Sequence, residues 1–87
     1  MLFMVVERFA DAREVYRRVR EGGRSLPEGL RYVDSWVRAD LRGCFQLMEC
    51  DDAALLQEWI ASWADLTEFE IVPVTPSRVT QELMARE

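Results

Sequence analysis

The sequence predicts an α+β domain with the element order β-α-β-β-α-β. Three short apolar segments, at 1–6, 44–48 and 71–74, have the length and residue types of strands that are covered on both faces. Between them lie two stretches whose apolar residues recur at helical spacing. Right-handed crossovers then give a four-stranded antiparallel sheet in the strand order 4-1-3-2. Both helices lie on one face, which is the ferredoxin-like arrangement.

The first strand is expected over residues 1–9, and the helix that follows it has a clear start and end. Asp11 stands at the N-cap position with Glu14 three residues later, which is the spacing of a capping box. Glu14 and Arg18 are four residues apart, so we expect an ion pair on the outer face. The glycine pair at 22–23 should end the helix. The apolar stripe of this helix consists of Ala12, Val15, Tyr16 and Val19.

The second and third strands are expected to form a hairpin. Residues 30–38 are rich in β-branched and aromatic side chains, and after a turn at 39–43 the chain enters a third strand at 44–50. Asp51 and Asp52 can both cap the second helix and favour its positive end. We expect the stripe of that helix, including its tryptophans, to belong to the core. The stripe consists of Leu55, Leu56, Trp59, Ile60 and Trp63.

A fourth strand is expected at 67–74, with Pro73 near its end or on an edge of the sheet, where a missing backbone donor costs little. The domain is expected to occupy residues 1–75. Residues 76–87 form a polar, partly helical tail that could pack on a partner chain. The apolar residues at helical spacing in the tail are Val79, Leu83 and Met84.

Charge and hydropathy exclude several partners. The 87 residues carry a net charge of −5, so a nucleic-acid backbone would be repelled on average. The Arg-Gly pair at 42–43 matches the start of an RNA-recognition signature, but Cys44 and Gln46 stand where base-stacking aromatic residues are needed. The longest apolar run is too short to span a bilayer, and the first residues lack the basic flank of a signal peptide. We therefore expect a cytoplasmic domain with neither nucleic acid nor membrane as partner.

The chain contains no His, no Lys and no Asn. Without His it lacks the commonest general base and metal ligand, and without Lys it cannot form a Schiff base. Cys44 and Cys50 lie about 20 Å apart at ~3.3 Å per strand residue, too far apart for a disulfide or a shared metal, and there is no Cys-x-x-Cys pair. We expect two reduced core cysteines and neither a metal nor a cofactor.

The second face of the sheet is expected to need another molecule. Two helices cover only one face of a four-stranded sheet, so a second copy of the chain is the predicted cover. Two sheets that face each other would form a homodimeric α/β barrel with a mixed apolar and acidic cavity between them.

Candidate ligand-binding residues lie on the strands. They are Glu7, Tyr32, Asp34, Trp36, Gln46 and Glu70. By alternation, Glu7 shares its face of the first strand with apolar residues at positions 3 and 5, and Tyr32, Asp34 and Trp36 share one face of the second strand. If those faces look away from the helices, the residues line the barrel cavity.

Three functions fit these residues. The first is a non-catalytic module that binds a small, partly aromatic molecule in the cavity. The alternative is a cofactor-independent enzyme, such as an oxygenase or isomerase, in which Glu7 or Asp34 acts as base because burial raises its pKa. The third is a purely structural dimer, in which these carboxylates pair with Arg8, Arg31 or Arg38 at the rim.

The segments 26–30, 44–49 and 69–74 resemble an uncharacterised family of small bacterial and archaeal domains of unknown function, and the similarity covers nearly the whole chain before the tail. That family resembles the dimeric α/β barrel superfamily, which includes antibiotic-biosynthesis monooxygenases, stress-responsive barrel proteins and effector-binding modules of transcription regulators. The resemblance implies a barrel dimer but no assigned activity. Characterised barrel enzymes often use a His or an Asn, so none of their catalytic residues has a counterpart here.

Overall fold

The computed structural model describes residues 1–86 and has the predicted order of strands and helices. The strands are β1 (Leu2–Phe9), β2 (Arg31–Val37), β3 (Gly43–Glu49) and β4 (Thr67–Val74). The helices are α1 (Ala12–Gly22), α2 (Ala54–Trp63) and α3 (Ser77–Met84). The sheet has the strand order β2-β3-β1-β4 with antiparallel neighbours, so the predicted ferredoxin-like topology is confirmed. Within the described residues no helix has the length and apolarity needed to cross a membrane.

Helix α1 begins and ends where the sequence indicates. The Asp11 side chain accepts hydrogen bonds from the backbone N–H groups of Arg13 and Glu14, which would otherwise lack partners in the first turn. Gly23 follows the last turn with φ at 71°, a conformation that glycine adopts without a steric penalty. Local capping chemistry therefore sets both ends of this helix.

The ion pairs on α1 differ from the predicted one. Glu14 pairs with Arg17, three residues on, instead of Arg18. Arg18 reaches across to Asp65, just beyond α2, and donates to its carboxylate at 2.7 and 2.9 Å. Neighbours at i+3 and i+4 lie equally near on a helix surface, so a tertiary partner can decide which pair forms. The predicted Glu14–Arg18 pair is therefore wrong, and Arg18 ties α1 to the end of α2.

One hydrophobic core lies between the sheet and the helices α1 and α2. Its buried members come from every layer: Phe3, Val5, Val15, Leu30, Met48, Cys50, Leu56, Trp59 and Trp63. The prediction that both α2 tryptophans belong to the core is confirmed. Cys44 and Cys50 are buried free thiols, as expected. Pro73 lies on β4, an edge strand of the sheet.

A β-bulge in β2 changes which face its side chains occupy. Tyr32 pairs with Met48, whereas Asp34 pairs with Leu47, so Val33 is an extra residue in the ladder. Tyr32 therefore lies on the helix-covered face, and Asp34 and Trp36 lie on the opposite face. The prediction that these three share one face is wrong, because a bulge breaks the period of two.

The face of the sheet that points away from α1 and α2 is apolar, and we call it the open face. Its apolar side chains are Leu2, Met4, Val6, Trp36, Phe45, Leu47, Val72 and Val74. Trp36 is 52% exposed and Phe45 39% exposed. Within the described part of the chain, no element packs over these side chains in the way that α1 and α2 cover the other face.

Helix α3 extends beyond the rest of the molecule. Residues 75–86 are all exposed. Except for residue 75, they belong to the region that was expected to form a tail. The molecule measures 51 × 31 × 18 Å, although its longest strands have eight residues and span only about 26 Å. Helix α3 therefore lengthens the molecule without adding to its core.

Candidate functional site

A pocket of about 180 Å³ lies between the helix-covered face of the sheet and the two helices. Its polar lining comes from three strands, from α1 and from the loop after α1: Glu7, Tyr16, Arg24, Ser35, Cys44 and Gln46. Its apolar lining consists of Phe9, Val15, Val19, Val37, Trp59 and Trp63. The pocket thus combines aromatic walls with hydrogen-bonding groups, which is the composition of a small-molecule site.

Glu7 belongs to this lining and lies on β1, one of the two inner strands of the sheet. It pairs with Cys44 on β3 and with Phe69 on β4. Burial raises the pKa of Glu7 to about 7, against the smaller opposing effects of a hydrogen bond from Cys44 and the charge of Arg24. Near neutral pH the pocket therefore holds a carboxyl group that is protonated in about half of the molecules, able to give or take a proton.

The thiol of Cys44 faces this carboxyl group. Burial and, to a smaller extent, the nearby negative charge of Glu7 raise the pKa of Cys44 to about 11. A thiolate is needed for nucleophilic attack or metal binding, so Cys44 acts as a hydrogen-bond donor to Glu7 and not as a nucleophile at neutral pH. Within residues 1–86 no group of three Cys, Asp or Glu side chains is placed to hold a metal ion.

Arg24 is fixed at the edge of the pocket from two sides. Its backbone carbonyl accepts hydrogen bonds from Nε1 of Trp59 at 2.9 Å and Nε1 of Trp63 at 3.0 Å. Its guanidinium carbon lies 3.9 Å from the centre of the Tyr32 ring, a cation–π contact. The Tyr32 hydroxyl in turn is 2.7 Å from Oγ of Ser35. These contacts hold a permanent positive charge close to the Glu7 carboxyl.

Two further polar groups point into the same space. Gln46 is buried, and its amide nitrogen donates to Sδ of Met48 at 3.4 Å, a weak acceptor. Much of the hydrogen-bonding capacity of this amide is therefore left for a bound molecule. The pKa of the Tyr16 hydroxyl is raised by burial and then by Cys44 and Glu7, which are negatively charged when they ionise. Tyr16 consequently remains a neutral donor at the pocket.

The structure divides the six predicted ligand-binding residues between the two faces of the sheet. Glu7 and Gln46 line the pocket, and Tyr32 supports it through Arg24 and Ser35. The other three lie on the open face: Asp34, Trp36 and Glu70. Because Glu7 shares its strand face with Phe3 and Val5, which pack against the helices, it lies opposite the face on which a barrel cavity would form.

Several lining residues were not among the predicted site residues. Cys44, Trp59 and Trp63 were assigned to the core, and all three are buried, while Tyr16 was assigned to the stripe of α1. Arg24 lies in a loop, where no periodic pattern of the sequence predicts the direction of a side chain. One signal was available in the sequence: Glu7 is an acidic residue on the strand face that otherwise carries core side chains, and such a carboxyl needs partners.

A larger concavity of about 730 Å³ lies at one end of the open face. Glu7 borders this concavity as well as the pocket, and five further ionisable residues line it: Arg8, Arg38, Arg42, Glu68 and Glu70. All five of these side chains are exposed. These exposed charges of both signs do little to desolvate a ligand, so this concavity has fewer features of a binding site than the pocket between the sheet and the helices.

Comparison with known proteins gives a family and no relative of established activity. No curated protein and no solved structure matches the chain significantly. A family model described as "Domain of unknown function (DUF3303)" matches residues 1–87. The match spans the whole length of the sequence, and the predicted membership of an uncharacterised family is confirmed. The chain belongs to the DUF3303 family.

Proposed function

We propose that this protein is a homodimeric domain that binds a small molecule with a single aromatic ring in the pocket beside Glu7. The observation that carries the proposal is a half-buried carboxyl group, with its pKa raised to about 7, inside a pocket with aromatic walls. An apolar protein cavity of about 150 Å³ accepts benzene, whereas sites for drug-sized ligands measure ~300–1,000 Å³. A volume of about 180 Å³ therefore suits one ring with a small substituent.

The polar lining indicates what that substituent should be. Protonated Glu7, the Gln46 amide and the Tyr16 hydroxyl all offer donors, and Arg24 adds a positive charge at the edge. An oxygen acceptor, such as a carboxylate or a phenolic or carbonyl oxygen, satisfies these groups. An ammonium group does not, because it would meet Arg24 and a carboxyl that is largely neutral below pH 7. Aromatic acids and phenols are the favoured ligand class.

Binding should depend on pH in a defined direction. Neutral Glu7 donates a hydrogen bond to an anionic substituent, whereas ionised Glu7 repels it. For benzoate, which stays ionised throughout, we expect the affinity to fall by up to ~10-fold as the pH rises from 6 to 8, because a group with a pKa of about 7 loses about nine-tenths of its protonated form over this range. Phenol, which is neutral in this range, should bind with a weaker dependence on pH.

Tryptophan fluorescence provides the readout. In a Trp36→Phe background the remaining tryptophans, Trp59 and Trp63, both line the pocket. Benzoate and phenol should change their emission with saturation, and benzylamine should not. Glu7→Gln should make benzoate binding independent of pH, and the matched control Glu70→Gln, on the open face, should leave the dependence intact. If none of the three probes changes the tryptophan emission at millimolar concentration, the proposal is contradicted.

An enzyme with Glu7 as base is the second candidate. A general base works best when its pKa lies near the working pH, and Glu7 meets that condition. Asp34 is exposed on the open face, so the enzyme hypothesis rests on Glu7 alone. The formation of a product distinguishes the two functions. The protein is incubated with phenols or other enolisable rings, and products are detected by mass spectrometry. Only an enzyme gives a product, and Glu7→Gln should then abolish it.

The homodimer is supported by the apolar open face. A soluble monomer rarely exposes a contiguous apolar patch across a whole sheet face, and a second copy is a self-complementary cover because the same surface can meet itself across a twofold axis. Light scattering after size exclusion should give a mass near twice 10.2 kDa.

Phe45→Asp should convert the dimer to the monomer, because it places a charge on an inner strand of the open face. The control is Leu41→Asp, since Leu41 is 62% exposed in the turn between β2 and β3 and has a positive φ that Asp tolerates. A wild-type monomer at tens of micromolar would contradict the homodimer.

A further inference from the structure

Helix α3 presents an apolar stripe without a cover of its own. Val79 and Leu83 lie one turn apart and are 42% and 52% exposed, and Met84 lies beside Leu83. The described residues 75–86 are all exposed, so this helix makes no buried contact with the rest of the chain.

A helix of this length does not hold itself together in water. Isolated helices shorter than about 12–15 residues are marginal, because nucleation is costly and few hydrogen bonds follow it. Helix α3 has eight residues, and its first turn has no side-chain cap. The stability of such a helix must come from packing its apolar stripe against another surface.

That surface does not lie on the same protomer. Two residues, Thr75 and Pro76, connect the end of the edge strand β4 to α3, and Pro76 is extended with φ at −58° and ψ at 139°. The helix accordingly continues past the sheet and lengthens the molecule to 51 Å. Val79 and Leu83 stay exposed, so the open face of their own sheet does not bury them.

The area of the open face also leaves room for α3 in a dimer. Four strands about 4.8 Å apart and about seven residues long, at ~3.3 Å per residue, cover roughly 450 Å². A stable interface buries about 800 Å² per partner. The exposed helix that follows the edge strand adjoins the open face and adds apolar surface to an interface formed there.

We infer that α3 is an exchanged arm, whose Val79–Leu83 side packs on the second copy of the chain in the homodimer proposed above. The inference rests on that dimer. Twofold symmetry makes each arm contact occur twice, so one substitution in α3 changes two contacts.

Leu83→Asp in the full chain tests the arm, with Gln81→Asp as its matched control. The two positions lie on opposite sides of α3, and both substitutions introduce one negative charge. Sedimentation velocity should show the dimer dissociation constant rising by at least about 30-fold for Leu83→Asp and by less than about 5-fold for Gln81→Asp. Equal, small changes for both variants in a dimeric wild type would overturn the arm and leave the open-face dimer standing.

Amide hydrogen exchange distinguishes an arm that packs on the second copy from an arm that packs on its own chain. Backbone amides of α3 should be protected in the wild-type dimer and should exchange at nearly unprotected rates in the Phe45→Asp monomer. Protection of α3 in that monomer would overturn the inference, because the helix would then pack on its own chain. A monomeric wild type would overturn both the dimer and the arm, whereas a dimer that persists in Phe45→Asp but is broken by Leu83→Asp would support the arm alone.

Discussion

Trp59 and Trp63, one turn apart on α2, donate their indole N–H groups to the same acceptor, the backbone carbonyl of Arg24. One carbonyl oxygen has two lone pairs and can accept both bonds. The two tryptophans thereby hold the loop after α1 against α2. This arrangement fixes the start of the Arg24 side chain, and with it the positive charge beside the pocket.

We predict that replacing both tryptophans by phenylalanine lowers the free energy of unfolding by more than the sum of the two single replacements. Each single variant leaves one hydrogen bond on the Arg24 carbonyl, whereas the double variant leaves a part-buried acceptor without a protein partner, which costs about 1 kcal/mol beyond the packing losses. Urea unfolding followed by circular dichroism measures the three variants. If the losses in the free energy of unfolding of the two single variants add up to that of the double variant within ~0.5 kcal/mol, the shared carbonyl does not couple the two tryptophans.

Glu7 should make the protein less stable as the pH rises. Its pKa in the folded chain is about 7, above the ordinary value of 4.5, so the folded state binds more protons than the unfolded state between these values. The free energy of unfolding should therefore fall from about pH 4.5 to pH 7 and remain lower above it, by at most about 3 kcal/mol. Glu7→Gln should remove this loss and be more stable than wild type at pH 8. A Glu7→Gln curve parallel to that of wild type would contradict the raised pKa.

Gly43 should not tolerate a side chain. A Cβ atom there would lie 2.1 Å from the backbone oxygen of Glu7, so β1 and β3 would have to separate at the position that carries the pocket carboxyl. We expect Gly43→Ala to destabilise the protein by more than about 3 kcal/mol. The matched control is Gly22→Ala, where nothing lies within 4 Å and the residue ends α1. That change should be neutral or should stabilise by up to ~1 kcal/mol, as thermal unfolding will show.

The thiols should resist alkylation in the native protein. Cys44 and Cys50 are both buried, and the pKa of Cys44 is raised to about 11, so little thiolate forms at pH 8. We expect labelling by iodoacetamide to be at least ~100-fold slower in buffer than in denaturant, since a native thiol reacts only after local opening. Rapid labelling of Cys44 in the folded protein, located by mass spectrometry, would contradict its role as a neutral donor to Glu7.

The order of the elements was predictable because it depends on periodic patterns. The stripe of α2 repeats at helical spacing, β1 is apolar on both faces, and Asp11 caps α1 where a capping residue was expected. Such signals are local, and each element satisfies them without knowledge of its neighbours. Antiparallel pairing and right-handed crossovers then leave few topologies.

The pocket was predictable only in part, for two physical reasons. The bulge at Val33 is a backbone irregularity without a clear sequence signal, so the alternation assumed for Tyr32 and Asp34 placed them together. Arg24 stands in a loop, and what positions it is a pair of indole donors about 40 residues later in the chain. Contacts between distant segments are not encoded in the local pattern of either one.

The bulge at Val33 acts as a change of phase along β2. Before it, even-numbered positions such as Tyr32 point to the helices, and after it the odd-numbered Ser35 and Val37 do so, while Trp36 points to the open face. A short edge strand can therefore supply side chains to two separate environments with independent demands. Substitutions at Ser35 should be constrained by the pocket and those at Trp36 by the opposite surface, so adjacent codons in this strand can evolve under unrelated selective pressures.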